Sequence, residues 1–273
     1  MTFFGIPVIF PASGYTASVV PVILSMFAVS KIERFFKKSL PASINFFMTP
    51  MLTCLIGVSL TYLVIGPVAG TLTNVLLIVF NSVFALPVVG AILGGALVGA
   101  LWQVLIIFGL HWAIIPISIA NLATQGFDVV MTGKIGCEMA TIAAIFAIYL
   151  KSKDKSVRDI AVPSMITGFF GTTEPAIYGV LLPRMKPFVF SCVASAVAGA
   201  AVCAMQAKIF VPGYGGIMSL ARYVDPTPGG AGISCMFSAG IAMVIAAVIA
   251  FLLTWFFWNE RDWAEKNGKR QSA

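Results

Sequence analysis

The stretch Gly171-Thr172-Thr173-Glu174-Pro175-Ala176-Ile177-Tyr178-Gly179-Val180 sets one carboxylate into a run that otherwise reads as membrane. No Asp, Glu, Lys or Arg occurs from Ile160 to Thr173, and none follows Glu174 until Arg184. An ionisable group at membrane depth costs about 2.5–3.5 kcal/mol on insertion scales, so a residue kept there is a functional candidate. Pro175 removes a backbone donor and the glycines widen the dihedral range, which together predict a broken, polar-tipped element. Irregular backbone at that depth is tolerated only where protein or a water-filled cavity surrounds it. That describes a substrate site.

The surrounding composition agrees. Of 273 residues, 59% are hydrophobic and 10% charged, with a mean hydropathy of +0.99. Soluble domains carry about 25% charged residues, so the chain reads as an integral membrane protein. No charged residue occurs from Ser39 to Phe127, which leaves room for several spans of about 20 apolar residues each. The net charge of +7 comes from clusters at Lys31–Lys38, Lys151–Arg158, Arg184 and Lys186, and Arg261–Arg270. Each borders an apolar segment, as cytoplasmic loops do. Nucleic-acid binding would want exposed aromatics among those charges, and here the aromatics lie in the apolar runs. Cys54, Cys137, Cys192, Cys203 and Cys235 lack C-x-x-C spacing and read as buried thiols.

Apolar runs between breakers give spans at about Pro11–Ser30, Asn45–Ala69, Val88–Leu110, Ile135–Leu150, Ile160–Pro183, Pro187–Ala207 and Ile233–Trp258. The basic stretch Lys31–Lys38 has the two-faced pattern of a separate helix lying in the interface. If basic clusters stay cytoplasmic, an even number of crossings separates any two of them. Only one apolar segment lies between Arg158 and Arg184, so it is expected to enter and return on the same side. Glu174 then sits near the tip of a re-entrant hairpin opening from the cytoplasm. By the same count either Thr71–Leu86 crosses as well, or His111–Leu150 dips and returns, and the breakers Pro116, Asn121, Gln125, Gly126 and Asp128 favour the dip. The loop Val211–Gly232 falls outside. The membrane-embedded part is expected over residues 1–262, with a polar cytoplasmic tail at 263–273.

Few residues can carry chemistry. Glu174, if ionised, offers only acceptors, which suits a polar ligand; a proton-coupling acid or a helix cap are the other readings. His111, the only histidine, can donate and accept, or be a satisfied residue beside Trp112. Glu138 lies one turn after Lys134, where an i,i+4 ion pair competes with a functional role. Trp112 and Tyr178 suit a pocket for sugar rings, which have apolar faces and polar rims, and equally suit an interfacial belt. Thr173 and Gln103 are further polar candidates. There is no G-x-x-x-x-G-K-S/T loop and no cluster with metal-ligand spacing, so neither ATP hydrolysis nor a metal or other cofactor is expected.

Gly171–Val180 closely resembles the G-I-T-E-P-A-I-Y-G-V signature of the membrane IIC component of the bacterial sugar phosphotransferase system, glucose superfamily. The resemblance extends through Thr2–Pro7, Phe47–Leu52, Leu63–Pro67, Gly99–Gln103, Ile107–Trp112 and Leu182–Phe188, and it is greatest to the β-glucoside/sucrose branch. It implies an all-α polytopic protein of the bacterial plasma membrane with re-entrant hairpins, part scaffold and part moving, and a homodimer. It further implies group translocation: the membrane domain carries a β-glucoside, sucrose or related glucosyl disaccharide inward, and a phosphocysteine on a IIB domain phosphorylates it. The family's sugar-contacting Glu and His fall on Glu174 and His111, with Thr173 as a lesser candidate.

The chain departs from the family pattern in three places. Thr172 replaces the usual Ile, and Glu138 stands where Gln is common. The phosphocysteine motif C-I/V-T-R-L-R does not occur in these 273 residues, so none of the five cysteines inherits that role, and against the family pattern the chain is expected to lack the IIB domain and the first membrane helices. The competing expectations are a proton-coupled secondary transporter, using Glu174 or Glu138, and a truncated segment without transport activity.

Overall fold

The computed structural model describes residues 2–3, 6–7, 19–86 and 89–260 and is almost wholly helical. The paired strands β1 (Thr2–Phe3) and β2 (Ile6–Pro7) are two residues each and antiparallel. The chain divides into two compact units: Met1–Val79 with Phe108–Pro116, and Phe80–Ile107 with Ile117–Ala273.

In the first unit, α1 (Val19–Ser39) packs on α2 (Ala42–Leu60). Nothing between Ser30 and Ser39 can stop a helix, so α1 runs straight through the basic stretch. This corrects the expectation of a separate interfacial helix at Lys31–Lys38; the expected start at Pro11 lies outside the described residues. Pro41, extended at ψ 146°, is the first residue that breaks the chain's course. Lys37 and Lys38 in the last turn complement the carbonyl end of α1, and the Asn45 amide donates to the Lys37 and Leu40 carbonyls at 2.9 and 3.4 Å. α2 continues through a π turn (Thr61–Ile65) into α3 (Gly66–Phe84). The expected break between Ala69 and Thr71 is therefore helical. A 3-10 turn, Leu110–Ala113, also belongs to this unit.

The second unit holds α4 (Gly90–Ile107), α5 (Ile115–Gln125, from Ile117 on), α6 (Cys137–Lys151), α7 (Lys155–Phe169), α8 (Glu174–Ala176), α9 (Met185–Ala204) and α10 (Ser234–Phe257). Its core combines buried Ile145, Ile148, Ile177, Leu181 and Tyr223 with seams of bare backbone and small residues. A Cβ on Gly99 would stand 2.2 Å from the Ser195 carbonyl, and one on Gly199 would stand 2.2 Å from that of Gly95. α4 and α9 thus touch backbone to backbone, the close approach that small residues permit in membrane bundles. Ala140, Ala144 and Ala147 on α6, Ala194 and Ala198 on α9, and Ala239, Ala242, Ala246 and Ala250 on α10 are fully buried.

Among the described residues five helical stretches are long and apolar enough to cross a membrane: Ile44–Val68, Gly90–Ile107, Met131–Lys151, Glu174–Ala204 and Ser234–Phe257. They match five of the expected spans, with one change. The second half of Ile160–Pro183 runs on helically, through Ile177–Leu181 and Leu182–Arg184, into α9. The only interruption is a kink at Arg184 (φ −109°, ψ 57°). Between His111 and Leu150 the chain is broken by α5, a left-handed Gly126 and a 3-10 turn, Met131–Lys134, while Gly66–Phe84 is a full helix.

Candidate functional site

Glu174 opens α8. α7 stops at Phe169, and Gly171 takes a left-handed conformation (φ 98°) that admits few other residues. The helix restarts at Thr173, with Pro175 in its first turn, where a missing N–H costs nothing. The return limb packs along α7: a Cβ on Gly179 would lie 3.0 Å from Ile160 Cγ2. Thr173 is 4% exposed. Glu174 is exposed, and among the described residues its carboxylate has no hydrogen-bond or ion-pair partner. Tyr178, one turn later, donates its hydroxyl to the Ile107 carbonyl at 3.0 Å, which anchors the π segment to the end of α4.

A second strand of chain meets this turn. A Cβ on Gly171 would stand 2.6 Å from the Gly215 carbonyl carbon, and one on Gly216 (φ 67°) would stand 2.3 Å from the Phe169 oxygen. Behind it lies a buried ion pair. Lys134 Nζ is 2.5 Å from Glu138 Oε1, both side chains nearly enclosed, and the ammonium sits 5.2 Å from the centre of the Trp102 ring. A Cβ on Gly215 would reach within 2.6 Å of that same Oε1. Of the two readings for Glu138, the structure shows the ion pair.

Gln103, 1% exposed, is held on all sides. Its Oε1 accepts from the Ser191 hydroxyl at 2.8 Å, and its Nε2 points at the Cys137 carbonyl and Ser195 Oγ at 3.4 and 3.5 Å. It is spent on joining α4, α6 and α9. His111 and Trp112 lie on the 3-10 turn of the other unit, with ring centroids 5.7 Å apart; His111 is half-buried and Trp112 is 44% exposed. Glu174, Thr173, Tyr178 and Gln103 belong to the second unit.

Sequence reasoning missed several polar anchors. Buried Asp128 accepts from Ser118, Asn121 and the Val130 and Met131 amides, and it pairs with Ile209 across an isolated bridge. Arg222 donates to the Val211 carbonyl at 3.2 Å; burial lowers its pKa and raises that of neighbouring Tyr223. Arg184, read as a loop cation, is 4% exposed and pairs with Glu260 at 3.2 Å. Lys151 donates to the Trp255 and Trp258 carbonyls (2.5 Å for Trp258) at the end of α10. Two of the expected cytoplasmic charges therefore brace helix ends. Among the described residues no group of His, Cys, Asp and Glu could hold a metal ion.

Five apolar helices with a carboxylate at the head of one of them define a multi-pass integral membrane protein. The Phosphotransferase system, EIIC family matches residues 2–196, and the chain belongs to it. The β-glucoside-specific EIIBCA component of Halalkalibacterium halodurans is 41% identical over 233 residues, covering 84% of this chain and 35% of that protein. That of Dickeya chrysanthemi is 33% identical over 261 residues (95% and 40%). The sucrose-specific EIIBC component of Vibrio alginolyticus is 32% identical over 244 (88% and 49%). The chain spans less than half the length of these relatives. No solved structure matches it at a significant level.

Proposed function

We propose that the chain is the sugar-translocating membrane component of a phosphoenolpyruvate-dependent phosphotransferase system. It binds a β-glucoside or sucrose-type sugar and presents it to a phosphorylated IIB partner, whose phosphocysteine supplies the phosphoryl group. The observation that carries this reading is Glu174: an exposed carboxylate without a partner among the described residues, seated at a turn that glycine contacts fix on two sides. A carboxylate left unpaired in an apolar setting is costly unless a ligand uses it. The names of the relatives above support the sugar class.

In this reading Glu174 accepts hydrogen bonds from sugar hydroxyls, and His111 orients the hydroxyl that is phosphorylated. Thr173 and Trp112 are lesser sugar contacts; Gln103, expected among them, serves by holding the helices. The hydroxyl oxygen attacks phosphorus in line, the sulfur–phosphorus bond breaks, and the IIB thiolate leaves while the hydroxyl proton passes to an acceptor. Such transfer depends on alignment, so holding the hydroxyl is the membrane component's share of catalysis. α7, at about 22 Å for its length, is too short to cross a hydrocarbon core of about 30 Å, which supports a hairpin that enters and returns on the cytoplasmic side. A homodimer in the bacterial plasma membrane completes the proposal.

Glu174→Gln keeps the shape of the side chain and removes its charge. Phosphorylation-linked uptake of an aryl β-glucoside or sucrose is expected to fall by at least about a hundredfold, the scale on which a positioned polar group matters to catalysis. Full uptake in that variant rejects the site.

A further inference from the structure

Immediately before the two glycines that meet the Glu174 turn stands Tyr214, 88% exposed. Its neighbours are held as firmly as backbone can be. Gly216 approaches Phe169–Gly171 so closely that no side chain fits there, and at Gly215 a Cβ would stand 2.6 Å from Glu138 Oε1 of the Lys134–Glu138 pair. On the other flank, a Cβ on Gly213 would lie 3.2 Å from Arg222 Cδ, and Arg222 is itself tied to the Val211 carbonyl. The chain is thus seated on both sides of a tyrosine whose ring is not seated at all.

A tyrosine kept for stability hides its ring, because that area is its main contribution to a fold. Tyr214 gains almost nothing of that kind. It also stands on irregular backbone outside the five apolar helices, so it is not part of a helix face turned to lipid. What its position secures is proximity: three glycines at one contact bring the Gly213–Gly216 loop onto the turn that carries Glu174.

We propose that Tyr214 is a sugar-contacting residue of the Glu174 site, an aromatic platform for the apolar face of a pyranose ring. This rests on the reading of Glu174 given above. A sugar needs both kinds of surface, acceptors for its hydroxyl rim and a flat apolar wall for its C–H face; Glu174 supplies the first, and the Tyr214 ring is more exposed than any aromatic on the Glu174 turn itself. The phenol oxygen can in addition donate and accept at the edge of the ring.

The test compares Tyr214→Ala, Tyr214→Phe and Glu174→Gln in membranes supplied with the phosphorylated IIB partner, using 4-nitrophenyl β-glucoside and sucrose as probes. Tyr214→Ala is expected to raise KM by about tenfold, in line with the loss of one aromatic contact, with kcat little changed and thermal unfolding unmoved. Tyr214→Phe keeps the ring and is expected to keep the wild-type KM. As a direct reading, a Tyr214→Trp variant is expected to shift its emission on titration with sugar, saturating at the transport KM. Wild-type KM in Tyr214→Ala, or silent emission in Tyr214→Trp, overturns the platform while leaving Glu174 standing if Glu174→Gln is inactive. Equal losses in the Phe and Ala variants overturn stacking in favour of the hydroxyl. Full activity of Glu174→Gln removes the site itself, and the platform falls with it.

Discussion

Two acidic residues set in apolar stretches, one buried and one exposed, look alike in sequence and differ in what they are for. Glu138 is committed to Lys134 at 2.5 Å, whereas the Glu174 carboxylate has no hydrogen-bond or ion-pair partner among the described residues. Removing one member of a buried pair strands the other, at a cost of about 3–5 kcal/mol. Glu138→Ala is therefore expected to lower the thermal stability of the purified protein markedly, and Glu174→Gln to leave it unchanged. A Glu138→Ala variant as stable as wild type would mean that the pair is open to water. Gln103 offers a third case. Its amide bridges Ser191 and the Cys137 carbonyl, so Gln103→Leu leaves buried polar groups without partners and is expected to cost about 1–3 kcal/mol in unfolding experiments. The Lys134–Glu138 pair was legible from the sequence because both partners lie on one helical turn. The Gln103 bonds were not, since Ser191 is 88 residues away and nothing in an apolar run distinguishes an amide that binds sugar from one that binds serine. Arg184 was misplaced for the same reason, its partner Glu260 being 76 residues distant.

At the scale of elements, hydropathy set out most of the helices, and backbone chemistry decided where they join. The five described spans coincide with apolar runs because a run of that length has no other way to satisfy its backbone in lipid. Turns were harder. Gly171 was visible as a breaker, but its contact with Gly215 is made across a long loop and has no local signature. The loop after α9 carries its own titrating latch. The Thr227 hydroxyl and amide bond to Asp225 Oδ1 and the Ala231 amide donates to Oδ2 at 2.9 Å, which holds this carboxyl below the usual aspartate range. A depressed folded-state pKa stabilises the loop above the ordinary range and ceases to do so as pH falls through the lowered value. Amide exchange at Ala231, corrected for its intrinsic rate, is expected to stay slow from neutral to mildly acidic pH and to quicken only in stronger acid. Exchange already fast at neutral pH would show that the latch is not formed.

For the whole molecule, sidedness is the property on which the proposed function turns. Lys153 and Thr227 are expected on opposite faces of the membrane, the first in the basic loop between α6 and α7, the second in the loop between α9 and α10. Cysteines placed at each position are expected to react with a membrane-impermeant maleimide in inside-out vesicles for Lys153→Cys and in right-side-out vesicles for Thr227→Cys. Labelling of both from one side would remove the odd number of crossings between them and with it the hairpin that returns to the cytoplasm. The described spans also differ in how much protein surrounds them. Of the most apolar stretch within Met131–Lys151, 72% is buried, against 17% for that of Ile44–Val68.

The glycine seam between α4 and α9 sets how this unit can deform. Side chains absorb small displacements by changing rotamer, and a joint made of bare peptide has none to change. Gly95, Gly99, Gly133 and Gly199 therefore leave α4, the Met131–Lys134 turn and α9 no play for fractional slippage, only for staying together or coming apart. Whatever excursion a sugar rides, these three elements travel it as a single stiff body, and bending is left to open turns such as Gly126, where the chain turns left-handed with no atom close by.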